Sequence, residues 1–478
     1  MRKRSLIVSG VALLVSATLL LSCLWYLRRY QPDFRALLYT AVLPLSGTGS
    51  GILEEWAANV LPGLAGIMIG YAFIVIEARR REKVLRVVAA LCWLSLPLVV
   101  AYGWRQMGMG AFLAETSQQT NIYAMEYVDP QTVSITADRP LNLVCVYIES
   151  METAYASEDV GGYQSLNYMP ALTGLVATHI SFSDKDALGG FQYMEGASWT
   201  MGALMTSTAG VPLAFPITTV RQTVTGEFAP GLTNLGDVLA QRGYTQEFLC
   251  GSDASFGGRK QYFEQHGDYA IFDLKEAKRQ GYVPEDYHVW WGLEDSKLYA
   301  IAREELLRLS AQDEPFNLTL LTADTHFPDG YLCAECGQEY ASKTANVVAC
   351  ADRQVAAFVE WCMAQDFFED TVIVIMGDHQ RMDTSLVGHI PYEERPVYNC
   401  IINASKEPAQ AVGRIFTAAD MFPTMLTAMG FEIEGHRLGL GTDLFSGEPT
   451  LAERMGIEAL NAEVAKSSDD YVKRFCKP

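Results

Sequence analysis

The chain has 478 residues, 49% of them hydrophobic and 19% charged, with a formal net charge of −20. That length excludes a single small domain and allows a large buried core. The acidity leaves no basic stripe to follow a phosphate backbone, which excludes nucleic acid as the partner.

The charge is unevenly placed. Residues 1–104 carry 11 Lys and Arg against 5 Asp and Glu, a balance of +6, whereas the remainder carries 25 against 51, a balance of −26. A basic, apolar head on an acidic body is the pattern of a membrane anchor bearing a soluble domain. Three apolar runs, 5–27, 60–76 and 85–104, are long enough to cross a bilayer. The first follows Arg2, Lys3 and Arg4 and has no small-residue cleavage site, so it reads as a retained anchor. Between the second and third stand Arg79, Arg80, Arg81 and Lys83. Basic loops stay cytoplasmic, and both clusters agree on an N-terminus inside and everything after about residue 106 outside. Arg28, Arg29 and Arg35 fall on the outer side, against that rule. The run 36–45, with Pro44, is too short to span and is expected at the outer interface. The organisation is then a membrane anchor over 1–105 with three transmembrane helices, a linker over 106–139 and an extracytoplasmic domain over 140–478.

Pro140 opens an apolar run, 141–148, interrupted only by Asn142, as in a parallel strand buried on both faces. It ends in Glu149 and Ser150. A carboxylate at the carboxyl end of such a strand stands where open α/β sheets place their ligands, although a Glu that merely pairs there is the plainer alternative. Residues 170–178 read as a helix and 180–183 as a short strand. Ser198, Trp199 and Thr200 lead a helical pattern that Gly210 and Pro212 stop. A hydroxyl in that position is most often an N-cap. It also lies beside free N–H groups and the positive end of a helix dipole, which suits a nucleophile attacking phosphorus.

Residues 234–242 and 244–250 repeat the helix–Gly–strand rhythm of an α/β domain. A Gly-rich loop over 251–259 ends in Arg259, either a phosphate ligand or a solvated loop residue. A charged amphipathic helix spans 295–309, and the apolar strand 316–322 ends in Asp324, Thr325 and His326. A long helix over 345–365 leads to TVIVIM, 371–376, the strongest strand pattern in the chain, which stops at Gly377, Asp378 and His379. A strand over 397–402, a helix over 418–429 interrupted by Pro423, and a charged helical tail from about 448 complete the α/β pattern.

The chain has ten cysteines. Cys23 and Cys92 lie in the apolar runs, and Cys145 lies in a buried strand as a small core residue. The notable pair is Cys333-Ala334-Glu335-Cys336. Neither a second CxxC nor a neighbouring His completes a zinc site in the sequence. Outside the cytoplasm a structural disulfide is favoured over a metal, joining Cys333 to Cys336 or either of them to Cys350 or Cys362.

Glu149, Thr200, Asp378 and His379 offer oxygen ligands and one imidazole, a mixture that suits Mn²⁺, Zn²⁺ or Mg²⁺ and lacks the thiolates of a structural zinc site. A Thr hydroxyl is a poor nucleophile at neutral pH, and a divalent cation on its oxygen lowers its pKa. In order along the chain, the motifs ending in Glu149-Ser150, Ser198-Trp199-Thr200, Asp324-Thr325-His326 and Gly377-Asp378-His379 resemble those of the lipoteichoic acid synthase-like branch of the alkaline phosphatase/sulfatase superfamily. GASWTMGALMTSTAGVPL and DTHFPDGYLCAEC look most like the members that place phosphoglycerol on periplasmic glucans. The resemblance covers 141–444. It implies an α/β/α sandwich and one divalent metal, Mn²⁺ ahead of Mg²⁺ or Zn²⁺, on Glu149, Thr200, Asp378 and His379. Thr200 would also be the nucleophile, forming a covalent phospho-threonine, with His326 and Arg259 on the substrate phosphate and headgroup. The resemblance further implies phosphatidylglycerol as donor, an osmoregulated glucan or similar glycan as acceptor, and a multi-pass protein of the inner membrane with its catalytic domain in the periplasm.

There are departures. Where that branch places a His and a Trp around the arginine, this chain has Cys250 and Gly257, and three spans are fewer than its larger members possess. Phosphoethanolamine transfer on the same fold is one alternative, and a catalytically silent membrane protein that binds glycan is another. Sulfate-ester hydrolysis is disfavoured, because sulfatases need Cys or Ser within C/S-x-P-x-R and Thr200 is followed by Met201, Gly202, Ala203 and Leu204. The complete ligand set stands against the silent binder. The two basic clusters carry a direct test of topology. A reporter that works only outside the cytoplasm, fused after Pro478, is expected to be active, and activity of a cytoplasmic reporter at the same place would refute the orientation.

Overall fold

The computed structural model describes residues 3–42, 51–217, 220 and 226–477. Arg2 and residues 43–45 of the short apolar run lie outside the described residues. The chain forms two compact units, Met1–Arg35 with Gly49–Ala114, and Ala36–Thr48 with Glu115–Pro478.

The first unit contains α1 (Lys3–Arg29), the start of α2 (Phe34–Val42), α3 (Gly51–Glu77) and α4 (Glu82–Gln106). Helices α1, α3 and α4 are long and apolar enough to cross a membrane. Their outer faces leave Ile69, Phe73, Val87 and Leu98 exposed, a surface that water would penalise and lipid would not. Pro62 and Pro97 sit inside α3 and α4, where membrane helices tolerate them. Gly10 lets α3 approach α1: a Cβ there would lie 2.9 Å from the Tyr71 ring, whose hydroxyl donates to Leu6 O at 2.6 Å.

The second unit is organised on β1 (Asn142–Ile148), β2 (Thr245–Cys250), β3 (Ala270–Phe272), β4 (Phe316–Leu321), β5 (Thr371–Gly377) and β6 (Asn399–Ile402). Their order in the sheet is β3-β2-β4-β1-β5-β6, all parallel except the β5–β6 pair. The central strands are apolar throughout because the pleat sends alternate residues to two buried faces. Leu143, Cys145 and Tyr147 pack with Met201, Leu204 and Met205 of α6 (Thr200–Ala209) and with Met421 and Met425 of α10 (Met421–Ala428). Val144, Val146 and Ile148 face the other way. They join Leu172 of α5 (Pro170–Thr178), Leu298 and Ile301 of α8 (Asp295–Ser310) and Val355 and Phe358 of α9 (Lys343–Met363). Helix α7 (Leu235–Ala240) lies on the α6 side. Each fully buried aliphatic side chain contributes about 1.5–3 kcal/mol, so this two-faced sheet is the main store of stability. The result is the α/β/α sandwich with a mixed sheet that the resemblance implies.

Three local expectations change. Residues 180–183 make only isolated bridges, Ile180 to Ile401 and Ser183 to Val412. The Asn399 side chain takes both backbone groups of Phe182, at 2.9 and 2.8 Å, and so replaces the ladder there. Pro423 does not interrupt a helix. It lies in the first turn of α10, after the 3-10 turn Ala418–Asp420, where no intrahelical N–H is needed. The stretch between the membrane runs and β1 carries structure of its own: Thr120 N–H donates to Ser467 O at 2.9 Å, and Ile135 pairs with Ile433. The tail forms three short helices, Leu451–Met455, Ile457–Val464 and Asp469–Phe475.

Gly377 ends β5 where nothing larger fits. A Cβ would lie 2.0 Å from Met151 O and 2.6 Å from Val397 Cγ1. Gly377→Ala is expected to destabilise the second unit by about 1–3 kcal/mol, read as a lowered melting temperature. An unchanged melting curve would show that the strand end yields without strain.

Candidate active site

Parallel strands β1, β4 and β5 end on the same edge of the sheet, and their carboxyl-terminal turns carry Glu149, Asp324 to His326, and Asp378 with His379. Helix α6 adds Thr200 at its first position, after Trp199 in extended conformation. Gly202 is required behind it, because a Cβ would lie 2.3 Å from Gly196 O.

Four of the residues singled out in the sequence come together. Thr200 Oγ1 donates to Glu149 Oε2 at 3.3 Å and lies 3.5 Å from His379 Nε2. His379 Nε2 is 3.5 Å from Glu149 Oε1 and 3.4 Å from Asp378 Oδ2. The ligand atoms of Glu149, Asp378 and His379 all lie within 4.8 Å of one another, and the three residues are buried. His379 Nδ1 donates to Gln380 O at 2.7 Å, a tautomer assigned from that bond, which leaves Nε2 with a lone pair toward the group. Asp378 Oδ1 accepts from Ser150 N–H at 2.7 Å and His379 N–H at 2.8 Å. Asp378 Oδ2 is buried and, among the described residues, has no hydrogen-bond partner.

The electrostatics point the same way. Burial, and then the charge of Glu149, push the Asp378 carboxyl up to about 7. Burial also opposes ionisation of Glu149, but His326 and His379 bring its pKa below the usual value. Burial opposes protonation of His379, yet Asp378 and Glu149 outweigh it and raise its pKa. Two buried carboxylates facing one imidazole, with one oxygen orphaned, lack positive charge. A divalent cation on Glu149, Asp378, His379 and Thr200 fits that deficit and that donor set.

His326 lies beside this group, close enough for its charge to shift Glu149. Its Nδ1 donates to Phe327 O at 2.7 Å, and its ring sits 4.3 Å from that of Trp291. Burial lowers its pKa. Asp324 does not join the group. Its Oδ2 accepts from Asp295 N–H at 3.1 Å, and burial followed by the Asp295 charge pushes it up to about 10.

Arg259 stands apart and, among the described residues, makes no hydrogen bond to the four. Its Nη2 donates to Ser252 Oγ at 3.0 Å and Asp253 O at 2.9 Å, and its Nε donates to Phe256 O at 3.1 Å. Its loop nevertheless rests on α6, since a Cβ at Gly257 would be 3.6 Å from Met201 Cβ. Phe256 lies between Arg259 (5.7 Å) and Trp291 (5.6 Å), which makes a continuous aromatic path to His326. Gly257 carries no ring, and Trp291, which the sequence did not single out, supplies one from another segment.

A buried ionic frame behind the site was also missed. Arg395 grips Glu152 through bonds of 2.6 and 2.7 Å, Arg381 grips Asp383 likewise, and all four residues are fully buried. Arg381 N–H donates to Glu152 Oε1 at 3.2 Å and its Nη1 to Thr325 O at 2.9 Å, so the frame ties the turn after β5 to the turn after β4. No periodicity announces such pairs, because each depends on loops far apart in the chain.

Residues 142–431 match the Sulfatase family. Phosphoglycerol transferase I of Salmonella arizonae is 27% identical over 437 residues, covering 88% of this chain and 55% of that protein. The chain thus spans about half the length of the curated relatives it matches. Two solved structures share the fold. One is a protein in the alkaline phosphatase superfamily from Vibrio parahaemolyticus, with TM-score 0.53 and 22% identity over 68% of this chain and 76% of that one. The other is the lipoteichoic acid synthase LtaP from Listeria monocytogenes, with TM-score 0.53 and 17% identity over 68% and 81%.

Truncating one partner of the buried frame is expected to leave a charge unpaired. Arg395→Met should cost about 3–5 kcal/mol in chemical unfolding, and Glu152→Gln with Arg395→Met should cost less than the two changes summed. Simple additivity would mean that the pair is not coupled.

Proposed function

Since the chain belongs to the sulfatase family, we propose that it is a metal-dependent phosphoglycerol transferase, moving the headgroup of phosphatidylglycerol to a glycan outside the cytoplasm. The observation that carries this reading is the Thr200 hydroxyl, 3.3 Å from Glu149 and 3.5 Å from His379 at a helix N-terminus, beside the orphaned Asp378 oxygen. The name of the Salmonella arizonae relative supports phosphoglycerol over phosphoethanolamine as the group transferred. The apolar helices α1, α3 and α4 support access to a lipid donor.

A divalent cation held by Glu149, Asp378, His379 and Thr200, with Mn²⁺ the best match to three oxygens and one imidazole, supplies Lewis acidity when bound. The residues do the rest. The N-terminal N–H groups of α6 favour negative charge where the phosphodiester sits. Thr200 Oγ1 gives up its proton and attacks phosphorus, and the diacylglycerol oxygen leaves and takes a proton. Phosphoglycerol is then held on Thr200. A glycan hydroxyl attacks that phosphorus, gives up its own proton and restores the Thr200 hydroxyl. His326, its Nδ1–H fixed on Phe327 O, donates Nε2–H to a phosphoryl oxygen as the imidazolium, a form that the phosphate charge favours although burial alone opposes it. Arg259, braced by Ser252, Asp253 and Phe256, meets the headgroup across the aromatic path.

Thr200→Ala is expected to fold with little loss of stability, since the N-cap of α6 is Trp199 and the Thr200 hydroxyl caps nothing, while turnover of phosphatidylglycerol falls by several orders of magnitude. Thr200→Ser should retain part of the activity, and the wild-type Thr200 peptide should carry a phosphoglycerol adduct. A folded Thr200→Ala enzyme near the wild-type rate would end this mechanism. His326→Ala and Arg259→Ala should each slow turnover with the metal content unchanged, and loss of metal on either change would move that residue among the ligands.

A further inference from the structure

Cys333, Cys336 and Cys350 take no part in that reaction, yet the fold gathers their sulfurs. Cys333 Sγ lies 3.5 Å from Cys336 Sγ and 3.9 Å from Cys350 Sγ. All three fall within 4.8 Å of one another. The CxxC turn belongs to the segment that follows His326, and Cys350 comes from the second turn of α9. Cys362, the other partner left open by the sequence, is not in the group, and all ten cysteines are free thiols.

We infer that Cys333, Cys336 and Cys350 form a second metal centre, a thiolate site for zinc or a similarly soft divalent ion, separate from Glu149, Asp378 and His379. Spacing is the first support. Zinc–sulfur bonds of about 2.3 Å in a tetrahedron put neighbouring sulfurs about 3.8 Å apart, and the separations of Cys333 from Cys336 and from Cys350 bracket that value. Valence is the second. A disulfide can use only two of these sulfurs, whereas one ion uses all three. The surroundings are the third. Gln354 Nε2 reaches Cys333 Sγ at 3.4 Å, Cys350 Sγ at 3.7 Å and Glu335 Oε2 at 3.3 Å. An amide donor held between two sulfurs stabilises thiolates, as the outer shell of a thiolate site must. Cys336 N–H donates to Cys333 O at 3.1 Å and closes the turn.

Cys333 and Cys350 are buried and Cys336 is half-buried, so an ion enters past Cys336. Among the described residues no fourth thiol or imidazole joins the group, which leaves water as the fourth ligand. Binding displaces one proton from each thiol to solvent. An ion there ties the CxxC turn to α9 and anchors the segment that carries His326, which is already pinned by Tyr331 N–H on Asp324 O at 2.7 Å.

The test uses the full chain in detergent, purified with reductant and then titrated with cobalt(II). Thiolate ligands give cobalt an intense charge-transfer band that carboxylate, hydroxyl and imidazole ligands do not give, so the two centres are told apart. The band is expected to saturate at one ion per chain, to vanish in Cys350→Ser and in Cys336→Ser, and to persist in Asp378→Asn. Cys336 is half-buried, so its variant keeps the test open if Cys350→Ser fails to fold. Three free thiols without a band would overturn the proposal. So would a band lost with Asp378→Asn and kept by the cysteine variants. Peptide mapping of protein isolated without reductant that finds any two of the three in a disulfide would also overturn it.

Discussion

Glu149 and Asp378 stand side by side because Ile148 pairs with Gly377 in the parallel register of β1 and β5. Everything in the site is hung from that pairing. A slip of one residue would send every side chain of the strand to the opposite face and break both halves of the core at once, so the register is fixed by burial, far from any chemistry. Beyond the pairing the two chains part, and the turn after β1 closes on its neighbour. Ser150 takes a left-handed φ of 52° and gives its N–H to Asp378 Oδ1. Such a conformation costs on the order of 1–3 kcal/mol in a residue with a side chain. The folded sheet carries that cost in order to hold one carboxylate oxygen down and leave the other free.

Charge is partitioned around this point. Glu152 with Arg395 and Asp383 with Arg381 neutralise each other within the frame, at zero exposure. Burial and then the Asp295 charge hold the Asp324 carboxyl above the usual carboxylate range. The frame therefore supplies rigidity without lending its guanidinium charge to Glu149 and Asp378, whose negative character stays available to a cation. Part of its charge does reach the two histidines: Glu152 raises the pKa of His379, and Arg381 lowers that of His326.

The sheet was legible because a strand buried on both faces reads as an unbroken apolar run, and 141–148 and 371–376 are such runs ending in acids. Thr200 was legible from a turn, a helix start and a Gly–Pro stop. The weaker edge was not. β3 has only three residues, and 180–183 looked like a strand although Asn399 replaces its ladder with a side chain. Arg395 and Glu152 lie 243 residues apart and carry no pattern that links them. Trp291 was an ordinary aromatic residue until the fold put it against His326, and only the fold chose Cys350 over Cys362 as the neighbour of Cys333. Sequence spacing reports on one element at a time, and these residues act between elements.

Trp199, directly before Thr200, does not rest only on residues that follow the apolar helices. Its ring stacks on Tyr39 at 5.2 Å with an interplanar angle of 28°, and the Tyr39 hydroxyl donates to Phe215 O. Tyr39 belongs to α2, ahead of the second apolar helix, yet packs as part of the second unit. A soluble fragment begun after α4 would keep all four residues of the proposed metal group and still lose this ring. Trp199 would then face solvent on one side, and the first turn of α6 would be free to shift. Such a fragment makes a poor reference for the intact chain, because a residue that precedes the second apolar helix is part of what packs against the turn that carries Thr200.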